Sequence, residues 1–383
     1  MITFYEYGNN AADQIVMISA AAGGYHTDCL TRHRSRRPVA GPQAGPRGRT
    51  LNTPNMFQQL LTIARNTFTE AIRQPILTVL ILVGSIGLWM NTHLAAYTFG
   101  EDNKMMIDLG LSMLFLVGLM LAAFTATGVL SMEIENRTVL TVVSKPVARP
   151  LFVVGKYLGV AAAISLTYWI LTATFLLNIR QGVMETARDK LDWPVIVFAL
   201  SAVFLSLLIA TLGNYFYRWI FTSTFVVTYL ILNTLAFVLM LVIAKRWQLQ
   251  SIAAEFHVHE DYDLGQVLIA LLLIFEAVMI LTAVAVAVST RLGQVMTLII
   301  CIAVFLLGLV SNSIYHEYGD AHPVASGLYW VMPNLQFLWQ ADALTAGHAI
   351  PLTHVAWLTL YSLLYIAALQ FLSISLFQTR EVG

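Results

Sequence analysis

Charge is what this chain of 383 residues has least of: 11% of its residues are Asp, Glu, Lys or Arg, against 58% hydrophobic. Soluble domains carry about a quarter charged residues. So sparse a supply cannot cover a water-facing surface, which excludes an ordinary soluble globule and leaves a polytopic membrane protein. Neither sign is in excess, with Lys+Arg and Asp+Glu at 21 each, so the balance gives no sign of a nucleic-acid partner. Cysteine is nearly absent. Cys29 and Cys301 form no CxxC pair and cannot build a disulfide framework. Cys301 lies in an apolar run and reads as a small core residue. Catalytic motifs are missing as well: there is no HExxH, no GxSxG and no convincing catalytic pairing. The nearest thing to a phosphate loop is Val154-Gly155-Lys156, but the motif needs Gly at 150 and Ser or Thr at 157, where this chain has Pro150 and Tyr157. No other Gly-Lys-Ser/Thr occurs. The chain reads as non-catalytic, and any ATP and Mg would have to be bound by another chain.

What is present is long apolar sequence. Residues 1–55 stand apart: the stretch from Thr31 to Thr50 is rich in Arg, Pro and Gly and reads as a disordered basic tail. Periodic structure begins only at Met56, so Met56 is an alternative start. Residues 56–75 read as an amphipathic helix in the membrane interface. Phe57, Leu60, Leu61, Ala64, Phe68, Ala71 and Ile72 form its apolar stripe, Arg65, Glu70 and Arg73 lie off it, and Thr53 and Pro54 suit its N-cap and first position. Eight runs follow within residues 76–383, each near the ~20 residues needed to cross hydrocarbon. They fall at about 76–98, 108–130, 153–178, 194–213, 220–244, 267–289, 295–314 and 355–377. Pro194 opens its span as a first-turn proline would. The fold expected is all-α and polytopic, with about eight transmembrane helices, an N-terminal interfacial helix and a short cytoplasmic helix between spans two and three.

Lys and Arg near span ends favour both termini on the inner side of the membrane. That places Arg137, Lys145, Arg149, Lys156, Arg218, Arg291 and Arg380 in the cytoplasm. The opposite loop 315–354 has no Lys or Arg. Seven histidines fall on the outer side: His93, His257, His259, His316, His322, His348 and His354. His257 and His259 sit beside four acids, but without tight zinc spacing the loop reads as solvated, with a transition metal as the alternative.

The densest polar stretch is Ser131 to Gly159, between spans two and three. A basic anchor explains its Arg and Lys only. Glu133 and Glu135 precede an apolar strip of Val139, Leu140, Val142 and Val143. Pro146 and Pro150 restrict Lys145 and Arg149 to extended backbone, and Pro150 pre-sets the next helix. The expected object is a short stiff helix, an elbow and then a span, suited to transmitting force.

"EIENRTVLTVVSKPVARPLFVVGKYLG", "YWVMPNLQFLWQADAL" and "LFQTREVG" together resemble three patches of type-2 ABC transporter permeases, those of gliding motility and copper-enzyme maturation being most similar. The resemblance runs from about Met56 to the end. Six spans are usual in that family, so two are additional here, within 194–289; Arg137 stands where the family has Gly. The resemblance implies an exporter subunit that pairs with a second permease, identical or not, and docks on two copies of an ABC ATPase through the 131–156 segment. Glu133, Glu135, Arg137, Thr138, Lys145, Pro146 and Arg149 would form the polar rim and elbow of that dock, with Val139, Leu140 and Val143 its apolar centre.

Glu276 lies mid-span. An acid there costs on the order of 3 kcal/mol, which many apolar neighbours at about 0.3–0.6 each outweigh, but it must face protein or water. It is a candidate substrate or proton contact or a partner across a subunit interface, or else a protonated carboxyl bonded to a neighbouring span. Asn178, Asn233 and Gln370 read as interhelical hydrogen-bond partners. Ser326 to Gln340 reads as interfacial or re-entrant, with Trp330 and Trp339 as headgroup anchors. Two rivals stay open: an ion-coupled secondary transporter using Glu276, and an ATPase-linked mechanical or regulatory subunit that transports nothing.

Overall fold

In hydrocarbon an apolar run must satisfy its own backbone, and an α-helix does so within one segment. The computed structural model, which describes residues 55–96, 102–135, 148–183, 191–245, 247–251, 263–318 and 323–378, follows that rule. A short helix α1 (Met56–Ala71) leads into α2 (Pro75–Ala95), α3 (Asp102–Glu135), α4 (Arg149–Gln181), α5 (Trp193–Tyr217), α6 (Phe221–Val242), α7 (Leu264–Ser289) and α8 (Gln294–Tyr318). Then come α9 (Pro323–Val331), a 3₁₀ turn at Leu335–Phe337, α10 (Ala341–Thr345) and α11 (Leu352–Gln378). Among the described residues, helices α2 to α8 and α11 are the eight long and apolar enough to cross a bilayer. Among the described residues there is no strand. The chain is an all-α polytopic membrane protein. Successive spans alternate in direction; "near face" is used here for the side where α2 begins and "far face" for the side where it ends.

Pro75 and Pro194 both occupy first-turn positions, where a missing N–H costs nothing. Two local expectations shift. The N-cap of α1 is Asn55, which makes no side-chain cap bond; Thr53 and Pro54 lie outside the described residues. Arg149 is not extended but is the first residue of α4, and Ala148 before it takes the extended backbone (φ −65, ψ 129). Pro150 therefore sits at the second helical position, where its fixed φ already suits the helix.

Helices α3, α4 and α7 form the centre: 72%, 72% and 78% of their spanning windows are buried, against 28% and 33% for α5 and α6 and 22% each for α8 and α11. Tyr168 of α4 donates to the Leu271 carbonyl of α7 (2.8 Å). The α5–α6 pair packs mainly on itself and reaches the centre through α4, where Asn233 donates to the Ile170 carbonyl (2.9 Å). At 34 and 33 residues, α3 and α4 are about 50 Å long at 1.5 Å per residue, well over the ~30 Å hydrocarbon core.

Candidate functional site

At the near face, α3 leaves the bilayer and α4 enters it. Glu133 and Glu135 belong to the last turn of α3, which runs on as helix past the apolar window ending at Leu130. Arg137, Thr138, Val139, Leu140, Val143, Lys145 and Pro146 lie outside the described residues. Arg149 opens α4, and its Nη1 donates to the Gln378 carbonyl (3.2 Å). Arg291, in the α7–α8 turn, donates from Nε and Nη2 to the Leu376 carbonyl (3.1 and 2.8 Å). Two cations from separate elements thus occupy the C-terminal end of α11, where unsatisfied carbonyls and the helix dipole favour positive charge. Sequence reading placed Arg149 on an open rim; the structure gives it this partner as well.

The first turns of α4 are covered by α1. A Cβ on Gly159 would stand 2.5 Å from the Ala64 carbonyl oxygen, so only glycine permits this approach. Ile63 and Thr67 pack here, while Met56, Phe57 and Leu61 stay exposed. The amphipathic helix therefore has a protein-facing side that the stripe reading missed, besides its exposed apolar edge and its polar edge. Lys156, buried to 4% exposure, lies 3.5 Å from Glu70 of α1 and 5.6 Å from the centre of the Phe152 ring. An ammonium so placed needs both kinds of partner. The pair binds α1 to the start of α4.

The second polar constellation is inside the bundle. Glu276 of α7 is 8% exposed and accepts from Thr359 Oγ1 (2.7 Å) and Ser362 Oγ (3.0 Å) of α11. Each hydroxyl also lies 3.0 Å from a carbonyl of its own helix, Val355 and Leu358. A hydroxyl has one proton and two lone pairs. It can give its proton to an ionised Glu276, or to its own helix while accepting from a protonated one.

Beside it the segment from Val331 to Gln340 turns back into the bundle. Tyr365 donates to the Val331 carbonyl (2.6 Å), and the Asn334 N–H donates to the Tyr361 hydroxyl (2.8 Å). The Pro333 carbonyl would stand 2.6 Å from a Cβ on Gly308 of α8. Pro333, Asn334 and Leu335 of this segment are buried in protein, which is where non-helical backbone is tolerated, whereas Val331 and Phe337 are exposed. Trp330 is exposed, but Trp339 is not a headgroup anchor: it meets Phe115 of α3 edge-on at 5.7 Å. Asn334 is 5% exposed and neither of its amide atoms has a hydrogen-bond partner.

Asn178 donates to the Leu88 carbonyl (2.5 Å) and accepts from Thr92, as an interhelical partner should. Gln370 departs from that expectation. It is buried, but neither of its amide atoms has a partner, and Ser373 one turn on shares the condition. His257 and His259 lie outside the described residues, and among the described residues no group of His, Cys, Asp or Glu could hold a metal. Thr359, Ser362 and Arg291 gave no sequence signal, since Ser and Thr are ordinary in spans and Arg291 read as a positive-inside charge.

No protein-family model matches the sequence, and no curated protein is significantly similar to it.

Proposed function

We propose that the chain is the membrane-spanning permease subunit of an ATP-driven ABC exporter, coupled through residues 131–156 to a separate ATPase. The observation that supports this most is the architecture of the near face. The two helices flanking the coupling segment, α3 and α4, are among the most buried and, at 34 and 33 residues, are the longest among the described residues. A force applied to 131–156 is delivered to the centre of the bundle, and α1 and the end of α11 are fastened to the same corner. With no phosphate loop of its own, the chain takes its ATP-driven motion from partner subunits, two per permease dimer. Such a transition is a rigid-body displacement of packed elements.

The test is purification of the tagged chain in mild detergent from its native membrane, with mass spectrometry of what accompanies it. Val139→Asp is a cleaner dock variant than an Arg149 reversal, because Arg149 also binds Gln378. A P-loop ATPase present with wild type and lost with Val139→Asp is the expected result. Its absence from both samples, with the chain intact, overturns the reading.

Glu276 favours a second reading, an ion-coupled transporter, because it is a buried acid within a span, bonded to two hydroxyls of another span. Glu276→Gln should then abolish gradient-driven transport in proteoliposomes, and unchanged gradient-driven flux would remove it.

A further inference from the structure

The far face holds a cleft of about 380 Å³ between α2, α4 and α5, lined among others by Trp89, Thr92, His93, Gln181, Ile196 and Leu200. It takes no part in the coupling corner or the Glu276 seam. An apolar cavity of ~150 Å³ accepts a benzene ring, so this one has room for a chain or ring system more than twice that size. Volumes of ~300–1,000 Å³, mostly apolar lining and a few polar groups are the marks of a ligand site.

The lining is graded with depth. His93 lies near the end of α2 and Gln181 ends α4, so the polar groups stand at the far-face rim. Trp89 lies six residues before the end of α2, and Leu200 seven residues after the start of α5, about 10 Å further in at 1.5 Å per residue. That depth falls within one leaflet of a ~30 Å hydrocarbon core. Gln181 is buried, and its Oε1 has no hydrogen-bond partner. The cleft is open at the far-face rim, where Leu191 is 37% exposed, and also within the depth of α5, beside Leu200, which is 65% exposed. In a bilayer the medium at that opening is lipid.

We infer that this cleft binds one lipid of the far leaflet, its acyl chain between Trp89, Ile196 and Leu200 and its polar end at His93 and Gln181. A polar rim over an apolar floor matches a lipid with its headgroup outward. The inference is independent of the ATP-driven reading.

The experiment uses the full chain in bilayer nanodiscs of phosphatidylcholine doped with a phosphatidylcholine carrying a diazirine in its acyl chain. After irradiation, cross-linked peptides are mapped by mass spectrometry. Ala96→Trp fills the mouth from an exposed helix end, Gln181→Leu removes the polar rim, and Leu235→Trp, on the exposed side of α6, is the control. Monodisperse elution shows that each variant is folded. Labelling concentrated on 89–96 and 196–200, lost in Ala96→Trp, reduced in Gln181→Leu and unchanged in Leu235→Trp, is expected. Labelling spread evenly around the spans, or unaffected by Ala96→Trp, overturns the site. So does labelling abolished by a short-chain soluble amphipath but not by excess unlabelled lipid, which would make the ligand a solute from water.

Discussion

Outside the α3–α4–α7 centre lie two sets of helices, and they are fastened to it in different ways. The α5–α6 pair is held at the far face by charge. Arg180 of α4 reaches Asp192, the N-cap of α5, at 3.4 Å, and donates from its two terminal nitrogens to the Met240 and Ile243 carbonyls at the end of α6 (2.6 Å to Ile243). The two side chains are 9% and 0% exposed. One guanidinium thus satisfies a buried carboxylate and the C-terminal end of a neighbouring helix. Helix α11 is held by hydroxyl contacts to Glu276 and by two arginines at its near-face end. The first fastening has a single arrangement, because any other leaves a charge unpaired. The second rests on neutral hydroxyls, each of which also lies near a carbonyl of its own helix. The seam with α11 should therefore be the weaker fastening of the two.

The largest effect should come from breaking the charge clamp. Arg180→Met leaves Asp192 buried and unpaired, and a loss of ~3–5 kcal/mol is expected, read as a lowered thermal midpoint in detergent. A loss under ~1 kcal/mol would mean that the clamp is hydrated, and the contrast with α11 would fall. Next comes the re-entrant segment. Gly308→Val places atoms against the Pro333 carbonyl, a backbone group that cannot rotate away. Overpacking of ~1–3 kcal/mol is expected, with altered protease access at 331–340 as the local readout. The Glu276 seam should give less. A double-mutant cycle of Glu276→Gln with Ser362→Ala should show a coupling near ~0.6 kcal/mol and no more than ~1.7, the range for hydrogen bonds between spans. A coupling as large as the clamp's would make the seam rigid and sink the distinction. The smallest change is expected from Arg149→Gln, an exposed dipole contact of ~0.3–1 kcal/mol that salt should weaken further. A salt-insensitive loss would show that Arg149 does more than cap α11.

The number and approximate places of the spans were legible in advance, since hydrocarbon selects for length and apolarity, and both are local properties; their ends were not, and α3 begins at Asp102 where the apolar run suggested 108. Pro75 and Pro194 marked starts for an equally local reason, their missing N–H. Arg149 was misplaced by one residue, because the rule for residues before proline ignores that Ala148 could take the extended backbone instead. Glu276 stood out as a lone acid, but its partners lie 83 and 86 residues away. Nothing in Thr359 or Ser362 announces that they face it. Trp339 was read as an anchor by residue type, whereas Phe115 and the return of the segment from Val331 place it inside.

The sequence by itself determined that its long apolar runs are helices long enough to cross a membrane, eight among the described residues, since each segment must pair its own backbone in lipid whatever its neighbours do. It also marked where polar groups are concentrated. Only the tertiary structure decided which helices are central and which peripheral. It alone gave Arg180 two helices to hold, Glu276 its hydroxyls and α1 a buried side against α4. Those choices depend on which faces meet, and hydropathy is nearly the same all round a membrane helix, so no periodicity records them.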